Sequence, residues 1–281
     1  MGRNVPLCFL KIIVFLYLNM KSRCQWRGSF STYFDVLTGT KQGGVISPRI
    51  FNLYMDDLIA LLRKRGIGCH IIDIFIACLF YADDLCLIAP TRSAMQAMLD
   101  ICQQYCSESC LAFNVKKSKI LFFGKAKTDQ IQILTLNNKP LEFVSQWKYL
   151  GVTLVHGPRF GCCIEETLCK YYRALNSILR VDGRSDDLVM LRLIESHCIS
   201  ILSYAIEVLR VADRKQRSKM RVSYNSAFRK LFNYSWRESV TNLQHSLGRL
   251  TWEELIEKRK NKFMSKIALF PADSLTRIVG H

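Results

Sequence analysis

The sequence predicts an α+β protein, with a mixed half over about residues 1–155 and an all-helical region over 156–281. Three observations predict it. Residues 74–89 and 120–155 hold short apolar runs broken by turn residues, the mark of strands. Apolar stripes at helical spacing flank those runs. From about residue 161 the pattern is helical to the end, with the soft boundary at His156-Gly157-Pro158.

At the N-terminus, Leu7 to Leu18 is strongly apolar. Lys11 interrupts it, it falls short of the ~20 residues of a membrane span, and no small-residue cleavage site follows. A buried helix is expected, with a signal peptide as the alternative, and no membrane association. Ser31, Tyr33 and Val36 then fall in an extended stretch that ends at Gly39. Gly43-Gly44 makes a turn, and Ser47-Pro48 starts a helix, Ser as cap and Pro in the first turn. Phe51, Tyr54, Leu58, Leu61 and Leu62 give that helix its stripe. Arg63-Lys64-Arg65-Gly66 closes it, with cations at the negative end of the dipole and Gly as the stop.

A helix from about Ser93 to Cys110 follows the 74–89 strands. Cys102, Cys106 and Cys110 lie on one of its faces and are read as small core residues. Asn137-Asn138 signals a hairpin. Helices are predicted over 162–180, 186–211, 213–234 and 251–268, the last opened by a Thr251…Glu254 capping box.

Composition narrows the function. The 281 residues are 49% hydrophobic, enough for a real core. Forty Lys and Arg against 23 Asp and Glu leave a net charge of +17. Such a field attracts polyanions, nucleic acid first, although an anionic membrane surface fits the same number. The twelve cysteines include no CxxC pair, and they sit in apolar runs rather than in a disulfide framework. A reducing, intracellular compartment follows.

The chemistry is concentrated in residues 74–89, Ile-Phe-Ile-Ala-Cys-Leu-Phe-Tyr-Ala-Asp-Asp-Leu-Cys-Leu-Ile-Ala, where Asp83 and Asp84 are the only charges. Runs apolar on both faces suit buried strands. Adjacent carboxylates there repel each other and lose hydration. A divalent cation removes both problems, and so does a solvated turn.

Neighbouring motifs bear on that choice. Gly-Thr-Lys-Gln-Gly-Gly-Val-Ile-Ser-Pro-Arg-Ile-Phe-Asn-Leu-Tyr occupies 39–54. Phe113-Asn114 and Lys117-Ser118-Lys119 follow the aspartates, and then Lys148-Tyr149-Leu150-Gly151. This ordered set resembles reverse transcriptases, RNA-directed DNA polymerases, and among them those of non-LTR retrotransposons. The likeness is strong over about 5–155 and weaker beyond. It implies a partial fingers and palm domain over 1–155, an antiparallel sheet with helices, and a thumb and connecting region over 156–281. Tyr81 to Asp84 would be the catalytic turn, with Asp83 the principal magnesium ligand and Asp84 its partner. Lys41, Gln42, Gly43 and Tyr81 would contact nucleotide and template, and Lys117 the pyrophosphate. Lys148, Tyr149, Leu150 and Gly151 would grip the primer. The implied partners are an RNA template, a DNA primer and deoxynucleotides. The implied reaction is nucleotidyl transfer assisted by two metal ions.

Tyr54-Met55-Asp56-Asp57 imitates the retroviral catalytic tetrapeptide. It continues the helix begun at Pro48, so Asp56 and Asp57 read as a solvated helix face. The family also carries an earlier metal-binding Asp on an upstream strand, ahead of the segment that resembles Val5 to Gln25. The expectation is therefore an N-terminally truncated, inactive or very weak member. Asp35, seven residues before Gln42, is a poor substitute. Two alternatives stand beside it: a non-catalytic basic nucleic-acid binder, and a retrotransposon relic without function. Arg210, Arg214, Arg217 and Arg221 share one helical face and could track a phosphate backbone. A merely solvating face fits them as well.

Overall fold

The computed structural model describes residues 5–37, 39, 41, 43–124, 133–180, 186–207 and 214–270. It combines helices with small, mostly antiparallel sheets. Among the described residues no helix is long and apolar enough to cross a membrane.

Helix α1 (Leu7–Leu18) forms as predicted, but none of its residues is buried. Leu7, Phe15 and Leu18 stand in solvent. The expectation of a buried helix is overturned because α1 is apolar all round, and periodicity gives such a helix no preferred face. An exposed ribbon follows, in which β1 (Lys21–Ser22) pairs with β4 (Phe34–Asp35) and β2 (Gln25–Trp26) pairs with β3 (Ser29–Phe30).

Helix α2 (Ser47–Arg65) ends as read, with three cations in its last turn and Gly66 left-handed at φ +65°. Its start differs. Ile46 occupies the cap position without a side-chain cap, and the buried Ser47 donates its hydroxyl to the Lys41 carbonyl at 2.7 Å. The Ser47 side chain thus closes the preceding loop and does not cap the helix. Met55, Leu58 and Leu62 are buried, while Tyr54 and Leu61 stay exposed. Tyr54 donates to the Ser109 carbonyl, and Tyr105 donates to the Tyr54 carbonyl, which ties α2 to α3 (Arg92–Glu108). Asp56 and Asp57 lie on the exposed face of α2.

Between these helices run two hairpins, β5 (His70–Ile71) with β6 (Ile74–Phe75), and β7 (Cys78–Tyr81) with β8 (Asp84–Leu87). Thr91 caps α3 by accepting from Ala94 N–H at 3.2 Å. Cys102 and Cys106 are buried in α3, and burial pushes the Cys102 thiol up to about 12. Cys110 departs from the expected face; it lies past the helix end at φ +53° and is exposed. Met55, Leu58, Leu62, Phe75, Met98 and Cys102 form one core. A second joins Leu99 on the other side of α3 to Leu134, Leu136 and Leu141.

Gly68 is required where the two hairpins meet. Its φ is +118°, and a Cβ would stand 2.3 Å from the Ala77 Cβ and 3.2 Å from the Ile88 carbonyl oxygen. Gly68→Ala is expected to destabilise the chain by at least about 1–3 kcal/mol, read as a lower urea midpoint. An unchanged midpoint would mean that this crossing yields freely.

Beyond α3, β9 (Lys119–Ile120) pairs in parallel with β12 (Glu142–Phe143). Strands β10 (Thr135–Leu136) and β11 (Lys139–Pro140) form the hairpin read at Asn137-Asn138. Both asparagines have positive φ, +53° and +57°, as a type I′ turn needs. Strands β13 (Gln146–Tyr149), β14 (Val152–Val155) and β15 (Gly161–Cys163) make a three-stranded sheet. The last corrects the sequence reading. Residues 162–163 extend the sheet by pairing with Leu154 and Thr153, and α4 begins only at Glu165, ending at Leu179.

The predicted 186–211 helix is also interrupted. It comprises α5 (Asp187–Leu193), a π-helical turn (Ile194–Ile199) and α6 (Ser200–Leu202), then turns away at Ser203; residues 208–211 of the predicted span lie outside the described residues. Helices α7 (Arg214–Leu231), α8 (Thr241–Ser246) and α9 (Trp252–Ala268) complete the described residues, and α9 carries the predicted capping box. Tyr171, Leu175, Ile194, Cys198, Met220 and Phe228 centre a third, larger core.

Candidate active site

The β7–β8 hairpin carries the aspartates. Phe80 and Cys78 face the first core, and Phe80 stacks obliquely on Phe51 of α2 at 6.2 Å. Leu79 and Tyr81 face outward, Tyr81 64% exposed. The strands were expected to be covered on both faces. The first core covers one face, while Leu79 and Tyr81 on the other stay exposed.

Tyr81 pairs with Asp84, so Ala82 and Asp83 form a two-residue turn. Ala82 is left-handed at φ +53°, a conformation that costs a non-glycine residue roughly 1–3 kcal/mol. The turn sets Asp83 and Asp84 side by side at the hairpin tip, both exposed. They are hard oxygen donors that suit magnesium, which keeps water and substrate phosphates as its other ligands. Among the described residues no third acid, His or Cys joins them in a metal-holding cluster. Asp35 instead lies 3.7 Å from Lys21 on the N-terminal ribbon.

Strand β13 approaches from the other side. Burial raises the Tyr149 phenol above its ordinary value, and Cys86, Asp84 and Cys78 add to the rise in that order. Tyr149 therefore lies within electrostatic reach of Asp84. Leu150 (φ +46°) and Gly151 (φ +83°) make the β13–β14 turn. Tyr204 locks that turn by donating to the Leu150 carbonyl at 2.9 Å, its ring 2.8 Å from where a Gly151 Cβ would stand. Arg259 in turn donates to the Ser203 carbonyl at 2.8 Å. Sequence reading missed Tyr204 and Arg259, which no local pattern marks.

Lys148 pairs with Glu166 at 2.7 Å, and Lys170 meets the same carboxylate at 2.8 Å. Hydrogen bonds from Lys148, then Lys170, hold Glu166 down at about 2. Because the folded value lies below the ordinary one near 4.5, this clamp is fully present above that value and is lost as pH falls through about 2. A carboxyl NMR titration of Glu166 checks this, and an ordinary midpoint would show the clamp open in solution.

The other predicted residues stand apart. Lys41 is exposed on a loop closed by Gly44 N–H and Ser47, both donating to its carbonyl. Gly43 is left-handed at φ +76°, and Gly44 leaves 2.6 Å between a Cβ and the Ser47 hydroxyl. Lys117 is exposed on a turn whose amides donate to Asn114. No hydrogen bond or ion pair joins Lys41 or Lys117 to Asp83 or Asp84 among the described residues. Gln42 and Arg210 lie outside the described residues. Arg214, Arg217 and Arg221 are exposed on α7, Arg221 lying 3.7 Å from Glu253.

Residues 6–154 match the family model described as reverse transcriptase (RNA-dependent DNA polymerase). The chain belongs to the reverse transcriptase family. It is 24% identical over 272 residues to a probable RNA-directed DNA polymerase from transposon BS of Drosophila melanogaster, covering 90% of this chain and 30% of that protein. It is 30% identical over 159 residues to a Pol polyprotein from a type-1 retrotransposable element R2 of Nasonia vitripennis, covering 53% and 15%. Similarity to the RNA-directed DNA polymerase from mobile element jockey of Drosophila melanogaster is 21% over 281 residues, covering 94% and 30%. The chain thus spans less than a third of each of these relatives. Their names agree with the retrotransposon likeness of the motifs, and Asp83 and Asp84 sit inside the matched segment.

Proposed function

We propose that this chain supplies the catalytic turn of an RNA-templated DNA polymerase, with palm and part of the fingers over 1–155 and thumb and connecting region over 156–281. One observation carries the reading: adjacent exposed carboxylates at a strained hairpin tip, inside the family-matched segment. Asp83 and Asp84 would hold magnesium. Magnesium bound there would stabilise charge developing at the α-phosphate as the primer 3′-hydroxyl displaces pyrophosphate.

The remaining roles follow from the chain's own residues. Gly43, without a side chain, lets backbone approach the incoming nucleotide, with Lys41 and Gln42 beside it. Tyr81 extends outward beside the aspartates. Lys117 offers a cation to the leaving pyrophosphate. The 148–151 turn holds the primer, kept in place by Tyr204 and Glu166.

With no third ligand beside them among the described residues, Asp83 and Asp84 would make a weak metal site. Assayed alone, the chain is proposed to extend a primer at least about a thousandfold more slowly than an enzyme whose site is complete. The test is magnesium-dependent extension on an RNA template, the native chain beside an Asp83→Ala, Asp84→Ala chain. Extension by the native chain at a complete enzyme's rate sinks the incomplete-site reading. Failure of a folded sample to bind a primer–template hybrid sinks the polymerase reading altogether.

The exposed arginines of α7 favour a second reading, a binder without catalysis. Arg214→Ala with Arg217→Ala is expected to weaken hybrid binding and to flatten the slope of log affinity against log salt by about one per lost phosphate contact. An affinity indifferent to salt counts against any backbone contact by α7.

A further inference from the structure

Residues 21–35 form a two-stranded ribbon in which every residue is exposed. It joins none of the three cores. Isolated two-stranded ribbons are marginal in water, yet this one shows Trp26 at 75%, Tyr33 at 63%, Phe30 at 51% and Phe34 at 50% exposure.

Its cations are arranged with the rings. The Arg23 guanidinium lies 3.9 Å from the Phe30 ring centre and 5.2 Å from that of Tyr33. Arg27 lies 5.9 Å from the Trp26 ring at the ribbon tip. There Arg27 (φ +47°) and Gly28 (φ +83°) make the turn, so an arginine occupies a left-handed position that glycine takes more easily. Asp35 is the ribbon's one acid, and Lys21 faces it, leaving Arg23 and Arg27 as excess positive charge.

We infer that this ribbon is a contact surface for single-stranded nucleic acid, with the rings stacking on bases and Arg23 and Arg27 meeting phosphates. The inference rests on the nucleic-acid reading above and adds a site outside the catalytic turn. Stacking on aromatic rings accepts any base, and guanidinium groups suit phosphate. The distribution of rings separates this partner from a membrane surface. Phe30 pairs with Gln25 and Trp26 pairs with Ser29, so the two rings lie on opposite faces of the ribbon. A flexible strand can wrap both faces, whereas a bilayer meets one.

The test measures binding of fluorescent single-stranded oligouridylate to the full chain by anisotropy at fixed salt. Trp26→Ala with Phe30→Ala is expected to weaken binding roughly tenfold or more. Its thermal unfolding stays unchanged, because both rings are exposed. Trp26→Phe with Phe30→Tyr keeps the stacking surfaces and nearly native affinity. Undiminished affinity in the alanine pair overturns the inference. So does an alanine pair that loses only its binding to phosphatidylserine vesicles, which would assign the ribbon to a membrane surface. A native chain that binds hybrid but not the single strand overturns the ribbon alone; one that binds neither overturns the nucleic-acid reading with it.

Discussion

Asp83→Asn lowers magnesium-dependent primer extension at least about a thousandfold in any assembly where this chain provides the catalytic turn. The substitution keeps the size and shape of the side chain at the β7–β8 tip and removes one negative charge. Metal stabilisation of developing charge is worth several kcal/mol, and each ~1.4 kcal/mol is a factor of ten. Thermal unfolding is expected to change little, because Asp83 is exposed. Equal extension by the two chains would remove Asp83 from the metal site. Asp84→Asn carries a separate signature. Asp84 contributes to the raised Tyr149 phenol, behind burial and Cys86. Removing that charge moves the Tyr149 midpoint part of the way down, while Asp83→Asn leaves it in place. A tyrosine titration reads this without any catalysis.

The second large effect is on stability. Phe228 is fully buried in the helical core and packs against Tyr224 at 5.4 Å between ring centres. Phe228→Ala is expected to cost about 3–5 kcal/mol, from lost burial and the cavity left behind. Domains have only about 5–15 kcal/mol in all. The urea midpoint falls accordingly, and helical signal is lost at body temperature. Phe228→Leu fills most of the space and costs far less. A Phe228→Ala chain with a native midpoint would mean that the α4–α9 core relaxes around the gap.

Which features were readable in advance depends on how far their causes reach along the chain. The α9 capping box, the Asn137-Asn138 turn and the Gly66 stop rest on hydrogen bonds and φ signs set within about four residues. The β7–β8 hairpin was legible for the same reason, since two apolar runs meet at the adjacent Asp83 and Asp84, residues that suit a turn. The π-helical turn at Ile194–Ile199 and the strand at Gly161–Cys163 were not. Both stretches satisfy helical periodicity, and the strand is decided by its pairing with β14.

The sequence by itself determined the family, the order of its motifs, the helix ends and the turn that presents Asp83 and Asp84. Only the tertiary structure decided that α1 stays exposed, that Ser47 ties down the Lys41 carbonyl, and that Tyr149 reaches toward Asp84. It also decided that Tyr204, more than fifty residues away along the chain, seats the 148–151 turn. Local structure follows from steric and hydrogen-bonding preferences of neighbouring residues. Burial, and the meeting of distant side chains, follow from which surfaces pack together, and no short stretch of sequence encodes that.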